Sequence, residues 1–178
     1  MLTSDVDGIL HAQTLAYPDF LLESAEFFLN RLQLAPDHCW VACASDSSTL
    51  LGYLVSYPWN AGLPPALGVA LTALPSPAEH WFVHDCAVVP RAQGHGVAKS
   101  LMQTGAARAV QSGLRRASLV SLQSAVGYWL RHGYRPVSAM DGMDGMDGMD
   151  GMDGMADLAA KLADYGPDAR YMTRGFPL

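Results

Sequence analysis

One stretch constrains this chain more than any other: His84-Asp85-Cys86-Ala87-Val88-Val89-Pro90-Arg91-Ala92-Gln93-Gly94-His95-Gly96-Val97-Ala98-Lys99-Ser100. It reads as a buried strand, a tight glycine turn and the first turn of a helix. The turn, Gln93-Gly94-His95-Gly96-Val97-Ala98, carries little side-chain bulk, so its backbone can approach a ligand closely. The helix behind it points unpaired N–H groups and the positive end of its dipole back at the turn. Such an arrangement suits an anion, above all a phosphate.

Two familiar phosphate motifs fail on particular residues. A P-loop requires G-x-x-x-x-G-K-[ST]; Lys99-Ser100 supply its end, but Gln93 and Ala98 stand where both glycines belong. A dinucleotide-binding turn needs a third glycine where Lys99 sits. The remaining pattern, Gln93-x-x-Gly96-x-Ala98, resembles the Q/R-x-x-G-x-G/A signature of the GNAT acetyltransferases, and Ala87-Val88-Val89-Pro90 is similar to the A-V-x-P end of that family's fourth strand. A second likeness lies downstream, where Tyr128-Trp129-Leu130-Arg131-His132-Gly133-Tyr134 resembles the family's F-Y/W-x-x-x-G-F/Y motif. Together the two cover roughly residues 80 to 137; the flanking thirds agree in element order only.

The 178 residues suit one domain, and half of them are hydrophobic, as in globular chains. No apolar run reaches the length of a membrane span, and Met1-Leu2-Thr3-Ser4-Asp5 does not read as a signal peptide. Cys39, Cys43 and Cys86 lie in apolar, strand-like runs, which points to small core residues in a reducing compartment, hence the cytoplasm. No C-x-x-C or Cys/His cluster completes a metal site. Net charge is −6, but five aspartates belong to one repeat, and without them the balance is close to neutral. No basic stripe invites nucleic acid.

In chain order, residues 5 to 35 predict two amphipathic helices separated by Pro18, with Asp19 as the second N-cap. Cys39–Ala44 and Leu50–Tyr57 predict a hairpin turning at Asp46-Ser47-Ser48. Residues 60 to 79 form a connection bearing proline and glycine, either plain surface or a substrate lid, with a short apolar helix over Leu67–Leu74. Trp81–Val89 is the central strand. Regular alternation there puts Phe82, His84, Cys86 and Val88 on one face and Val83, Asp85, Ala87 and Val89 on the other; only a local bulge would turn Asp85 into a site. A helix from Val97 to Gly113 leads to a strand over Ala117–Leu122, predicting a parallel pair. Ser124 caps a short helix through His132, closed by Gly133. Met140 to Met155, Met140 plus five Asp-Gly-Met units, reads as a disordered loop, because Asp and Gly form neither helix nor strand well. A short helix through Leu158, Leu162 and Tyr165 and a strand over Ala169–Met172 end the chain.

The resemblance implies an α/β GNAT acyl-CoA N-acyltransferase fold: a mixed central sheet flanked by helices. The family usually opens with a strand, whereas only a residue or two precedes the first helix here. It also implies an N-acetyltransferase moving the acetyl group of acetyl-CoA to a primary amine of a small molecule, such as a polyamine or arylalkylamine. Members are often homodimers. By resemblance, peptide groups around Val88 and Val89 pair with the pantetheine arm, and the turn Gln93, Gly94, His95, Gly96, Val97, Ala98 and Lys99 takes the pyrophosphate. His84 occupies a position similar to the histidine of the H-x-L-A-V strand, which serves or relays as base; the alternative is a core histidine bonded to a backbone carbonyl. Asp85 is the second catalytic candidate. The motif's usual tyrosine, a general acid, is Trp129 here, and Tyr128 lies about 100° round the helix. A degenerate acyl-CoA-binding module and a protein N-terminal or lysine acetyltransferase are the competing readings.

Overall fold

A computed structural model describes residues 1–45, 49–137, 150–166 and 168–177. Two helices, α1 (Val6–Ala16) and α2 (Ala25–Leu34), precede strands β1 (Cys39–Cys43), β2 (Leu50–Trp59) and β3 (His80–Val88). Then follow α3 (Val97–Gln111), β4 (Arg116–Ser121), α4 (Gln123–Arg131), β5 (Arg135–Pro136), α5 (Asp150–Ala163) and β6 (Arg170–Gly175). The sheet order is β1-β2-β3-β4-β6-β5. β3 and β4 run parallel and every other neighbouring pair is antiparallel, so the sheet is mixed. Parallel strands need a long crossover, which α3 supplies.

Both faces of the sheet are covered, which is why the strands read as nearly continuous apolar runs. On one face Ile9 of α1 and Phe27 and Phe28 of α2 pack with Tyr53, Val55, Tyr57 and Phe82. On the other, Leu101, Met102, Ala106 and Ala109 of α3 pack with Leu54, Trp81, Val83 and Leu119. Gly105 sets how close α3 can lie: a Cβ there would stand 2.6 Å from Trp81 Cζ2 and 2.7 Å from Leu54 Cδ2.

Several local expectations are corrected. α2 begins at Ala25 rather than after Asp19, because Ser24 Oγ accepts from Phe27 N at 3.2 Å; Asp19–Leu21 is a single 3-10 turn. Ser124 lies inside α4, whose N-cap is Leu122. No helix forms over Leu67–Leu74. That segment's backbone is satisfied from outside: Asn30 pairs with both main-chain groups of Leu71 at 2.9 and 3.0 Å, and Arg31 donates to the Val69 carbonyl at 2.7 Å. A shift of register between Ala42 and Cys43 breaks the shared face of Cys39 and Cys43, so Cys39 is buried and Cys43 exposed. The turn at Asp46-Ser47-Ser48 and residues 140–149 of the repeat lie outside the described residues. From Asp150 onward the repeat is helix, not loop. The run Ala156 to Ala163 is rich in good helix formers, and aspartate is favoured in a first helical turn. Among the described residues, no helix is long and apolar enough to cross a membrane.

Candidate active site

The site begins with one extra residue in β3. Val55 of β2 pairs with Asp85, but the next residue, Ser56, pairs with Val83, leaving His84 unpaired. Such a bulge resets the alternation of a strand. Asp85, which a regular strand would send to the opposite face, therefore turns toward α1 and α2 together with His84. The pairing of β3 with β4 ends at the same level, Val83 with Leu119, although β4 continues to Ser121. Beyond the bulge the two parallel strands part.

His84 is bonded to side chains, not to a backbone carbonyl. Its Nδ1 lies 3.0 Å from the Tyr57 hydroxyl and its Nε2 3.1 Å from Glu23 Oε1, and its ring packs against Phe27 with centroids 4.7 Å apart. The two side chains are nearly buried, at 2% exposure for His84 and 6% for Glu23. With Nε2–H donated to the carboxylate, Nδ1 accepts from Tyr57. Burial, first of all, holds the Tyr57 hydroxyl above its ordinary range, so it stays a donor. Glu23 is itself fixed by buried Gln13, which donates to its carbonyl at 2.7 Å and accepts from its amide at 2.9 Å. Gly68 N adds a bond to Oε1 at 3.2 Å, while Oε2 takes no donor among the described residues.

Asp85 has its own pair of partners. Oδ1 accepts from Tyr17 at 2.6 Å and Oδ2 from Tyr53. Burial raises the carboxyl's pKa, and the two hydroxyl bonds pull it back only in part. Both tyrosines are held well above their usual range by burial and then by the Asp85 charge. Neighbouring Cys86 is pushed up to about 12, by burial and by Asp85, so its thiol is protonated and no nucleophile.

Two cavities meet here. A small one of about 70 Å³ is lined by Tyr17, Leu21, Glu23, His84, Asp85 and Tyr165. A larger one of about 500 Å³ follows the gap where β3 and β4 part, bordered by Tyr17, Cys86, Val88, Gln93, Ala98 and Trp129. Tyr17 belongs to both. At the far end of the larger cavity, Gly94 and Gly96 take φ of 77° and 78°, the left-handed region that favours glycine. The Gln93 side chain ties this turn to the strand by donating to the Val88 carbonyl at 3.2 Å, and His95 Nδ1 lies 2.8 Å from the Gln93 carbonyl. Among the described residues, the amides of Gly94 through Lys99 have no acceptor, and a Cβ at either glycine would meet open space. Val97 and Ala98 are half-buried at the head of α3 and Lys99 is exposed. Val89 differs from the rest: its side chain is in the core, its amide donates to Leu51 and its carbonyl accepts from Ala92. A third cavity of about 170 Å³ continues between α3 and α4, with Lys99, His132 and Arg174 beside Tyr128 and Trp129.

The structure thus puts His84 and Asp85 on the small cavity, and Val88 with Gln93 and Ala98 of the turn on the larger one. Sequence reasoning missed Glu23, Tyr17 and Gln13. The one signal for Glu23 was an acid enclosed by Leu21, Leu22 and Ala25.

A sequence profile described as the acetyltransferase (GNAT) family matches residues 7–134. The chain belongs to that family. No curated protein sequence matches this GNAT chain. Among solved structures, its fold is similar to the loading GNATL domain of CurA from Lyngbya majuscula, with TM-score 0.69 and 11% identity over 97% of this chain and 93% of that one. It is also similar to the GphF GNAT-like decarboxylase in complex with isobutyryl-CoA, with TM-score 0.68 and 16% identity over 98% and 96%. A third is Rv2747 from Mycobacterium tuberculosis in complex with CoA, with TM-score 0.65 and 17% identity over 99% and 96%. At these identities the likeness is one of fold. The class of activity is that of a GNAT-family acyltransferase, which draws on an acyl-CoA.

Proposed function

We propose that this GNAT protein is an N-acetyltransferase that moves the acetyl group of acetyl-CoA onto the primary amine of a small molecule. The observation that carries the reading is the row of unengaged amides at the head of α3. It opens on a 500 Å³ cleft that meets, at Tyr17, a cavity lined by Glu23 and Asp85. Backbone donors with no other acceptor suit a diphosphate, at Gly94 to Lys99. The main chain of Val88 and Cys86, where β3 has left β4, suits the amide-bearing arm. Lys99, His132 and Arg174 would face the nucleotide end.

Bound acetyl-CoA supplies an activated acyl thioester. The protein's own work is done around the bulge. The Glu23 carboxylate in the small cavity attracts a cationic amine, and the cavity's 70 Å³ favours a compact acceptor and a two-carbon acyl group over larger ones. Glu23 Oε2, the carboxylate oxygen without a donor, receives the amine's proton; His84 holds the other oxygen in place, so the two act as one proton-accepting pair. A protein N-terminus or lysine would need a wider approach. Cys86 carries no acyl group, because its thiol is protonated, so transfer is direct from thioester to amine. The three cysteines are unpaired, in keeping with a reducing cytoplasm.

The test is release of free CoA thiol from acetyl-CoA across a panel of small amines. Turnover with one or more of them, lost in His84→Ala at undiminished acetyl-CoA binding, supports the reading. Binding without turnover on any amine would reduce the protein to a CoA-binding module, and no binding of CoA in calorimetry would overturn the assignment.

A further inference from the structure

A thioester exchange needs a partner for the sulfur that leaves, and α4 supplies none in the position of the family motif. That position is Trp129, an indole that gives up no proton near neutral pH. Tyr128 lines the larger cavity but not the small one, and its ring lies tilted against His132 with centroids 4.1 Å apart. The tyrosine that lines both cavities is instead Tyr17, the C-cap of α1. It donates to Asp85 Oδ1 at 2.6 Å and lies 3.4 Å from the Cys86 carbonyl, at the bulge where β3 leaves β4.

We propose that Tyr17 is a catalytic residue, the proton donor to the departing CoA sulfur, and that Asp85 restores its proton. This rests on the acetyl-transfer reading. As the carbon–nitrogen bond forms and the carbon–sulfur bond breaks, the electron pair moves to sulfur and the Tyr17 hydroxyl proton follows it. With Asp85 protonated, the 2.6 Å contact runs from carboxyl to phenol, which leaves the Tyr17 hydrogen free for sulfur. The carboxyl then reprotonates the phenol and is left as a carboxylate held by Tyr17 and Tyr53. The cationic amine loses one proton to solvent before it attacks; its second, taken up by Glu23 and His84 on the same cavity wall, returns to Asp85, so ammonium and thioester give amide, free thiol and one released proton. The titratable groups around Tyr17 are Asp85 and Cys86 of β3 and Tyr53 of β2, with His84 and Glu23 next to Asp85. Burial raises the carboxyl of Asp85, which favours its protonated form.

The experiment compares wild type with Tyr17→Phe, which keeps the ring and removes only the hydroxyl. Calorimetry with CoA and with desulfo-CoA reads the sulfur contact without any turnover: wild type prefers CoA, and Tyr17→Phe loses that preference. In steady-state assays kcat falls about a hundredfold at unchanged acetyl-CoA affinity, the lower edge for a general acid because a thiolate already leaves well. Asp85→Asn, which cannot return a proton, lowers kcat while keeping the preference for CoA over desulfo-CoA. Wild-type kcat in Tyr17→Phe would overturn the proposal, and so would a retained preference for CoA over desulfo-CoA. If wild type turned over no amine at all, the transferase reading would fail, and the desulfo-CoA comparison would still decide whether Tyr17 meets sulfur.

Discussion

Glu23 is expected to serve both fold and chemistry, and two substitutions separate the two roles. Glu23→Ala strips the acceptor from His84 Nε2 at 3.1 Å and from Gly68 N at 3.2 Å. Each buried donor left unsatisfied costs about 1–3 kcal/mol. The His84 side chain is 2% exposed, whereas Gly68 is exposed and can turn to water. The loss therefore sits near the lower end of the range for breaking a buried pair, about 3 kcal/mol. Glu23→Gln keeps an oxygen facing both donors and should lose only about 1 kcal/mol, since a neutral acceptor replaces a charged one. At roughly 2–4 °C per kcal/mol for a domain of this size, thermal melts resolve the two variants. Turnover orders them differently: both should be equally impaired, because neither offers a carboxylate oxygen to the amine's proton. A Glu23→Gln enzyme with near-wild-type kcat would refute the reasoning, and equal melting temperatures for the two variants would refute its energetic half.

Gly105→Ala should lower stability by about 1–3 kcal/mol, seen as an earlier thermal transition, because its Cβ would stand 2.6 Å from a Trp81 ring that cannot move aside. Gly96→Ala puts a side chain where φ is 78°, at a cost of about 1–2 kcal/mol, and so disturbs the turn that carries the free amides; calorimetry should show CoA affinity at least about tenfold weaker. Asp85 titrates higher folded than unfolded, so the native state holds the extra proton, and stability falls as pH rises from the ordinary carboxylate range through the folded value. Urea denaturation of Asp85→Asn should show a shallower fall as pH rises above the ordinary carboxylate range, about 4.

What the sequence disclosed follows the reach of its interactions. The strand-turn-helix at 84–100 was legible because its determinants are local: Pro90 to end the strand, glycines for the left-handed turn, and apolar spacing for α3. The parallel pairing of β3 and β4 followed from the helix between them. The bulge at His84 was not legible. It depends on how β3 registers against Ser56 of β2, nearly thirty residues away, and no composition marks it. Regular alternation points Asp85 to the opposite face, and only the bulge turns it toward His84. Glu23 and Tyr17 sit in the connection between α1 and α2 without a motif, and their roles arise only when that connection folds over β3. Asp19 and Ser24 are both good caps by residue type, and the bond to Phe27 N decides for Ser24. The repeat misled because poor helix formers were weighed without the Ala/Leu-rich run that carries them.

Gln13 and Tyr17 lie one helical turn apart, joined by a bond from the Tyr17 amide to the Gln13 carbonyl at 2.9 Å. In the proposed reaction a single rigid rod thus steers both the group that receives a proton and the group that gives one. Sliding or tilting α1 detunes the two ends of this traffic at once. Substitutions along its hidden stripe, at Ile9 or Ala12, should accordingly surface as altered acid–base behaviour of the enzyme long before they surface as weaker grip on the nucleotide, whose seat is built from the opposite end of the cleft.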